Sequence, residues 1–296
     1  DLSRTSYYKG GSSGDDIYRT LTTGLDGSPM NSYDYISDFE RWNLVHYLQS
    51  LHQAKRKRTF SKIRKIKSKY IDNPITMNLD ESVWEKALET KINLWPLRAR
   101  KKPFKEMLIR SVYNNDKIAI QLKWKDLTAD GILNNNYVDQ AAIQFAVNFS
   151  EIQDSPFYGM GEKGKMVNIW HWKADVRQKI FKSKKFKEKG AVETPDSMKG
   201  MFVNPFTESP VEEMNSNGIG SLTVQPLADQ KLDGQGYWNN GYWNVVFIRN
   251  LNALNKWDID FSGKDQVVLA FALWDGKKKD MNSKKLVSFW NVLKFP

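Results

Sequence analysis

The sequence predicts a mainly β protein, an antiparallel β-sandwich preceded by a small α-helical segment. Three observations carry that expectation. Apolar side chains alternate with period two in several separated runs, turn-forming Gly, Asn and Asp punctuate those runs, and the cleanest helical signature lies before residue 55. Eleven tryptophans add the flat apolar bulk that a thick sandwich interior needs.

The helical signature starts at Ser37. Glu40 stands three residues on, a capping box in which each side chain satisfies a free backbone N–H of the other. Phe39, Trp42, Val45, Leu48 and Leu51 follow at helical spacing as an apolar stripe. A tract from Lys55 to Lys69 then carries nine basic residues and is followed by Asn73-Pro74. It shows no core pattern and reads as a linker, which sets the expected divisions at 1–54, 55–74 and 75–296. Asp80 is placed to cap a short helix through Trp84 and Ala87.

Strands dominate from there. Ile118, Ile120, Leu122 and Trp124 alternate with Ala119, Gln121 and Lys123, and Ile143, Phe145 and Val147 repeat the pattern. Val167, Ile169 and His171 share one face of the next strand, with Asn168, Trp170 and Trp172 on the other. Val245 to Ile248 and Val267 to Leu273 are apolar runs, each entered through a turn. The stretch from Asp175 to Asp233 is charged and interrupted by Pro195, Pro205, Pro210 and Pro226. It reads as a long insertion with one short helix near Val176 to Phe186.

Composition removes several functions. There is no cysteine, so disulfides, thiolate metal sites, iron–sulfur clusters and covalent haem attachment by this sequence are excluded. No run of about 18 apolar residues offers a membrane span, and the polar start DLSRTSYYKGG is unlike a signal peptide. Walker loops, nucleophile elbows and zinc-protease helices are missing from the sequence. The formal charge of +11 favours acidic partners. Its two clusters, at 55–69 and 173–189, lack the interleaved aromatics and glycine loops of a nucleic-acid platform. An acidic protein face is the expected partner, and nucleic acid is not.

The segment from Phe157 to Trp172, FYGMGEKGKMVNIWHW, draws attention for its chemistry. Met160 lies between Gly159 and Gly161, which free the backbone and clear bulk from around the thioether. A soft thioether presented in this way suits a haem iron. A methionine plugging a gap in an irregular core is the plainer alternative.

Several blocks in order resemble the haem b (gamma) subunits of ethylbenzene dehydrogenase-like molybdenum enzymes. They are ITMNLDESVWEKA (75–87), KIAIQLKWKD (117–126), DQAAIQFAV (139–147), the Met160 segment, GYWNVVFIRNL (241–251) and VVLAFALWDGKKKDMNSKKLVSFW (267–290). The resemblance implies a haem b held by a methionine and a lysine. Met160 matches the methionine. Lys285, in Asn282-Ser283-Lys284-Lys285-Leu286-Val287-Ser288, matches the lysine, with Lys284 as the alternative. Alternation places Lys285 and Lys284 on opposite faces and leaves both open. A lysine that donates to iron must lose its proton, and burial moves it that way. His171 is the rival donor by chemistry. By the resemblance it is instead a core or neighbouring group, bonding to a haem propionate. His46 and His52 lie on the first helix without a partner pattern.

Residues 15–51 resemble the second half of a class I cytochrome c. The turn Gly27-Ser28-Pro29-Met30 matches the one whose methionine binds haem c, which makes Met30 a further candidate ligand. The Cys-x-x-Cys-His anchor of that family is missing from the sequence, which implies that a segment precedes Asp1.

Together these readings imply a non-catalytic, extracytoplasmic electron-transfer subunit of a nitrite oxidoreductase-like complex. It would relay electrons between an iron–sulfur subunit and an acidic cytochrome, with substrate chemistry on a molybdenum subunit. A carbohydrate-binding β-sandwich using exposed Trp and Tyr is the alternative.

Overall fold

The computed structural model describes residues 2, 5, 8–25, 28–53, 63–77, 79–97, 105–131, 137–174, 209–218 and 220–296. Two helices open it, α1 (Gly14–Thr23) and α2 (Asp38–Gln53). Strands β1 (Lys65–Lys67) and β2 (Lys69–Tyr70) lead to the short α3 (Glu81–Glu85). Then come β3 (Thr90–Pro96), β4 (Lys105–Tyr113), β5 (Lys117–Lys125), β6 (Gln140–Ala146) and β7 (Val167–Lys173). The remainder are β8 (Val211–Ser216), β9 (Thr223–Val224), β10 (Asp233–Asn239), β11 (Tyr242–Asn250), β12 (Gln266–Trp274), β13 (Leu286–Val287) and β14 (Asn291–Lys294).

The strands form two layers, and their pairing is antiparallel except for β1 with β14 and β2 with β4. One layer runs β10-β11-β5-β4-β3 and the other β13-β12-β6-β7-β8-β9, with β3 and β13 hydrogen-bonded at the seam. The mainly β expectation holds. Between the layers lies a dry core of Ile109, Ile120, Phe145, Trp170, Phe247, Phe271 and neighbours. Trp124, Trp172 and Trp243 pack together with ring centroids 4.9–6.2 Å apart. One ion cluster is sealed inside: Arg249 meets Glu213 at 3.3 Å and Asp258 at 3.0 Å, all three side chains at most 1% exposed. Burial pushes Glu213 up to about 7 against the pull of Arg249.

Two stretches differ from the sequence expectation. Residues 65–70, within the tract expected as linker, are β1 and β2. Ile66 is fully buried while Lys65 and Lys67 point to solvent, a strand alternation too short to stand out among so many cations. The stretch read as a long insertion contains β8, whose two adjacent glutamates disguise it, because both are buried against basic partners. The helix expected at 176–186 lies outside the described residues.

At the front, the capping box forms: Ser37 N–H donates to Glu40 Oε2 at 2.9 Å, and Glu40 N–H donates to Ser37 Oγ at 3.3 Å. Only part of the α2 stripe is covered. Val45 and Leu48 pack on Ile17 and Leu21 of α1, whereas Phe39 is 76% exposed. Among the described residues, α1 is the one helix packed on α2, and it covers only one side of it. Asp80 caps α3 through Ser82 N–H, as expected, and seats the buried Trp84.

Candidate haem site

The outer face of the second layer differs from its inner face. Strand register lines His171, Ala142, Ala272, Val287 and Trp95 across β7, β6, β12, β13 and β3 as one transverse row. Ala146 and Ala270 lie on the same face, and the cluster there includes Ile169, Met214, Trp274 and Trp290. Small side chains leave a shallow apolar floor at the centre of the sheet.

The loop 148–166 folds back over this floor. Trp290 Nε1 donates to Pro156 O at 2.7 Å, and Gln144 Nε2 donates to Tyr158 O at 2.9 Å. The turn then tightens, with Gly161 N–H on Phe157 O at 3.0 Å. Gly161 needs its glycine: at φ 80°, an added Cβ would lie 3.0 Å from the carbonyl oxygens of Lys165 and Ser216. Met160 itself sits at φ 84°, unusual for a side chain bearing a Cβ. Its carbonyl accepts from Gly218 N–H at 2.9 Å and from Ser216 Oγ at 2.8 Å.

From the other side comes the turn after β12. Asp275 caps it by accepting from Lys278 N–H, Lys279 and Asn282 take left-handed backbone conformations, and Met281 bridges to Lys284. Trp274 Nε1 donates to Asn282 O at 3.1 Å and fixes the turn over the sheet. Lys284 is used up here, with its Nζ on the carbonyls of Lys278 and Lys279 and 3.8 Å from Asp280. Lys285 points the opposite way, 4.7 Å above the Trp274 ring.

Met160 and Lys285, 125 residues apart, thereby meet. Lys285 Nζ is 3.9 Å from Met160 Sδ. Burial pushes the Lys285 ammonium down to about 8, so the neutral amine is within reach at physiological pH. Tyr158 and Phe289, edge to face at 5.0 Å, form an aromatic wall beside the pair.

His171 is close but occupied. Nδ1 lies 2.8 Å from Glu212 Oε1 and Nε2 2.9 Å from the Gln140 side-chain amide, with the ring 5.4 Å from Trp274. Burial holds the imidazole below its usual value despite Glu212. Glu212 stays ionised: burial raises it, but His171 and Lys173 outweigh that and hold it at about 2. Both ring nitrogens thus lie within hydrogen-bonding distance of a side-chain partner, Glu212 for Nδ1 and Gln140 for Nε2.

Met30 is not part of this site. It is partly buried against Ile17, Leu21 and Val45, in a turn where Leu25 N–H donates to Met30 O. A second polar cluster, Asp126, Asp139 and Asp275, has a metal-like spacing, yet Lys105 already bridges Asp126 and Asp275 at 2.8 and 3.5 Å. Burial and Asp126 raise Asp139 to about 7.

Sequence reasoning missed Ser216, Gln140 and Glu212. None of them carries a residue-type signal, since each acts on a carbonyl or on another side chain.

The family model for ethylbenzene dehydrogenase matches residues 81–285, a span that contains both Met160 and Lys285. This chain belongs to the ethylbenzene dehydrogenase family. Among its relatives is a proposed respiratory nitrate reductase haem subunit of Haloferax mediterranei, 25% identical over 62% of this chain and 53% of that protein. The chlorate reductase gamma subunit of Ideonella dechloratans is 25% identical over 72% and 77% of the two chains. The dimethylsulfide dehydrogenase gamma subunit of Rhodovulum sulfidophilum is 27% identical over 63% and 58%. The match thus spans little more than half of two of these relatives. Among solved structures, a family 9 carbohydrate-binding module of Caldicellulosiruptor kristjanssonii in complex with glucose aligns at TM-score 0.40 and 9% identity. It covers 79% of this chain and 96% of that one. Among the described residues, no helix is long and apolar enough to cross a membrane.

Proposed function

We propose that this chain binds haem b between Met160 and Lys285 and serves as the electron-transfer subunit of a molybdenum oxidoreductase complex of nitrite oxidoreductase type. One observation carries the reading: a thioether sulfur and a deprotonatable amine from segments 125 residues apart in the sequence converge to 3.9 Å over an apolar sheet face. The two donor atoms already lie within contact distance of each other, so both would be at hand to hold a haem. The donor chemistry also fits, since soft sulfur and neutral nitrogen are both ligands of haem iron.

A bound haem supplies a one-electron couple. The chain's own work is to present Met160 and a neutral Lys285, to keep His171 engaged with Glu212 and Gln140, and to exclude water from the alanine floor. Substrate chemistry falls to a molybdenum subunit, with an iron–sulfur subunit on one side of the relay and an acidic cytochrome on the other, in an extracytoplasmic compartment. The positive net charge suits the cytochrome. Residues 1–54 are read as the second half of a cytochrome c-like module, 55–74 as the junction and 75–296 as the haem b domain, with Met30 a ligand to haem c.

Visible spectroscopy of the haem-loaded full chain tests the reading. Met160→Ala and Lys285→Ala should each convert a low-spin haem to a high-spin or differently ligated form. Lys284→Ala and His171→Ala should leave the low-spin spectrum in place. A low-spin spectrum unchanged in Met160→Ala would refute the methionine assignment, and a response confined to His171→Ala would refute the ligand pair as a whole.

A further inference from the structure

Met160 stands in a left-handed conformation that a residue with a Cβ disfavours. Something must hold it there if the thioether is to stay aimed at the site. Its carbonyl takes two donors, Gly218 N–H at 2.9 Å and the Ser216 hydroxyl at 2.8 Å. Ser216 is 1% exposed at the end of β8. A hydroxyl has one proton to give, and the neighbouring geometry decides where it goes. Ser216 Oγ also lies 3.0 Å from Gly218 O and 3.2 Å from Ser221 Oγ. Ser221 Oγ donates to the same Gly218 O at a shorter 2.6 Å. Of the three contacts of Ser216 Oγ, the one to the Met160 carbonyl is the shortest. The backbone of Ser216 also backs the turn, because its carbonyl oxygen is what a Cβ on Gly161 would strike.

We infer that Ser216 is the positioning residue of the candidate ligand methionine: its hydroxyl clamps the Met160 carbonyl and thereby holds the thioether at the proposed haem site. This rests on the reading of Met160 as a ligand. Groups that orient a metal ligand from behind change metal affinity or activity by about 10–100-fold when removed, and pre-organisation of this kind is what keeps a ligand site tight.

The test is displacement of the methionine by imidazole in the ferric, haem-loaded full chain, followed by the low-spin spectrum and the midpoint potential. Ser216→Ala should bind imidazole on the order of 10-fold more tightly than wild type and show a lowered potential. Ser216→Cys, close in shape and a weaker donor, should fall between the two. Ser111→Ala, which removes a buried 2.8 Å hydrogen bond with Ser68 elsewhere in the sandwich, should lower Tm without changing imidazole affinity. Unchanged imidazole affinity in Ser216→Ala, or an equal rise in Ser111→Ala, would overturn the inference. If Ser216→Ala does not fold, wild-type affinity and potential in Ser216→Cys would overturn it. Met160→Ala separates the two layers of argument. If it matches wild type in imidazole affinity, the methionine reading itself fails; if it differs while Ser216→Ala does not, only the clamp fails.

Discussion

Strands β6, β7 and β12 carry two faces built in different ways. Inward they present Phe145, Trp170, Trp172, Phe271 and Leu273, all buried and interdigitated with the opposite layer. Outward, one residue along each strand, stand Ala142, Ala146, Ala270 and Ala272 with His171. The inner face is closed by its own bulk. The outer face is closed by a loop and a turn that bring a sulfur and an amine instead of more hydrocarbon. The contrast separates what these strands do for stability from what the proposed haem site would ask of them. It can be broken from either side.

The largest effect belongs to the inner face. Trp170→Ala should cost about 3–5 kcal/mol of stability, the range for a large aromatic deleted from a packed core. The loss has a polar part as well, because the indole donates to Asn168 and Glu213 at 3.2 Å and removing it leaves that buried carboxyl less satisfied. Urea unfolding should show the loss, while the haem spectrum of the remaining folded protein stays that of wild type. A changed spectrum would mean that the two faces are not independent.

Filling the outer face should do the reverse. Ala272→Leu adds three carbons to the floor between Ala142 and Val287. Overpacking of this kind costs about 1–3 kcal/mol, less than the tryptophan deletion. Haem uptake, followed by titration of the apo chain, should weaken by at least about 10-fold, because the slot is taken by side chain. Tight haem binding in Ala272→Leu would place the cofactor somewhere other than this floor.

The same contrast explains what could be read in the sequence. Inner-face strands announce themselves, because Ile118 to Trp124 and Val267 to Leu273 alternate or run apolar over seven residues, as a sandwich requires. The outer site hardly does. Ala142 and Ala272 look like ordinary strand residues, and the order of Lys284 and Lys285 is set by a turn. Strand alternation had nothing to act on, since β13 is only two residues long. Met160 is marked by its flanking glycines as well as by the family resemblance, and the lysines by the resemblance alone. In the structure Lys284 is tied to backbone carbonyls while Lys285 lies 3.9 Å from the sulfur. Basic β1 and acidic β8 were hidden for a related reason. Their charges are paired or face solvent in three dimensions, and a linear pattern cannot show the partner.

The last test turns on a single proton and sharpens the assignment of Lys285. In the unfolded chain a lysine keeps its proton up to the ordinary value of 10.5, whereas in the fold burial lowers it to about 8. Between those values the unfolded chain holds more protons, so stability of the apo protein rises with pH across that window and is flat just below it. Two buried acids give the opposite slope in a different range. Glu213 and Asp139, both raised to about 7, weaken the fold as pH climbs from their unfolded values toward 7 and are spent by 8. Tyr8, Tyr158 and Tyr237, raised by burial from the ordinary 10.0, oppose the rise only near the top of the window, so the rise between 8 and 10 is the signature of Lys285. It should vanish in Lys285→Met and persist in Lys284→Ala, read as Tm against pH from 7 to 10.5. If Lys285 holds the haem as proposed, a bound iron would compete with the proton for the same lone pair. The low-spin spectrum should then survive to a pH below 8 before the amine is protonated and released, again only where Lys285 is present. Identical pH profiles in wild type and Lys285→Met would remove the lysine from the site and leave Met160 without its partner.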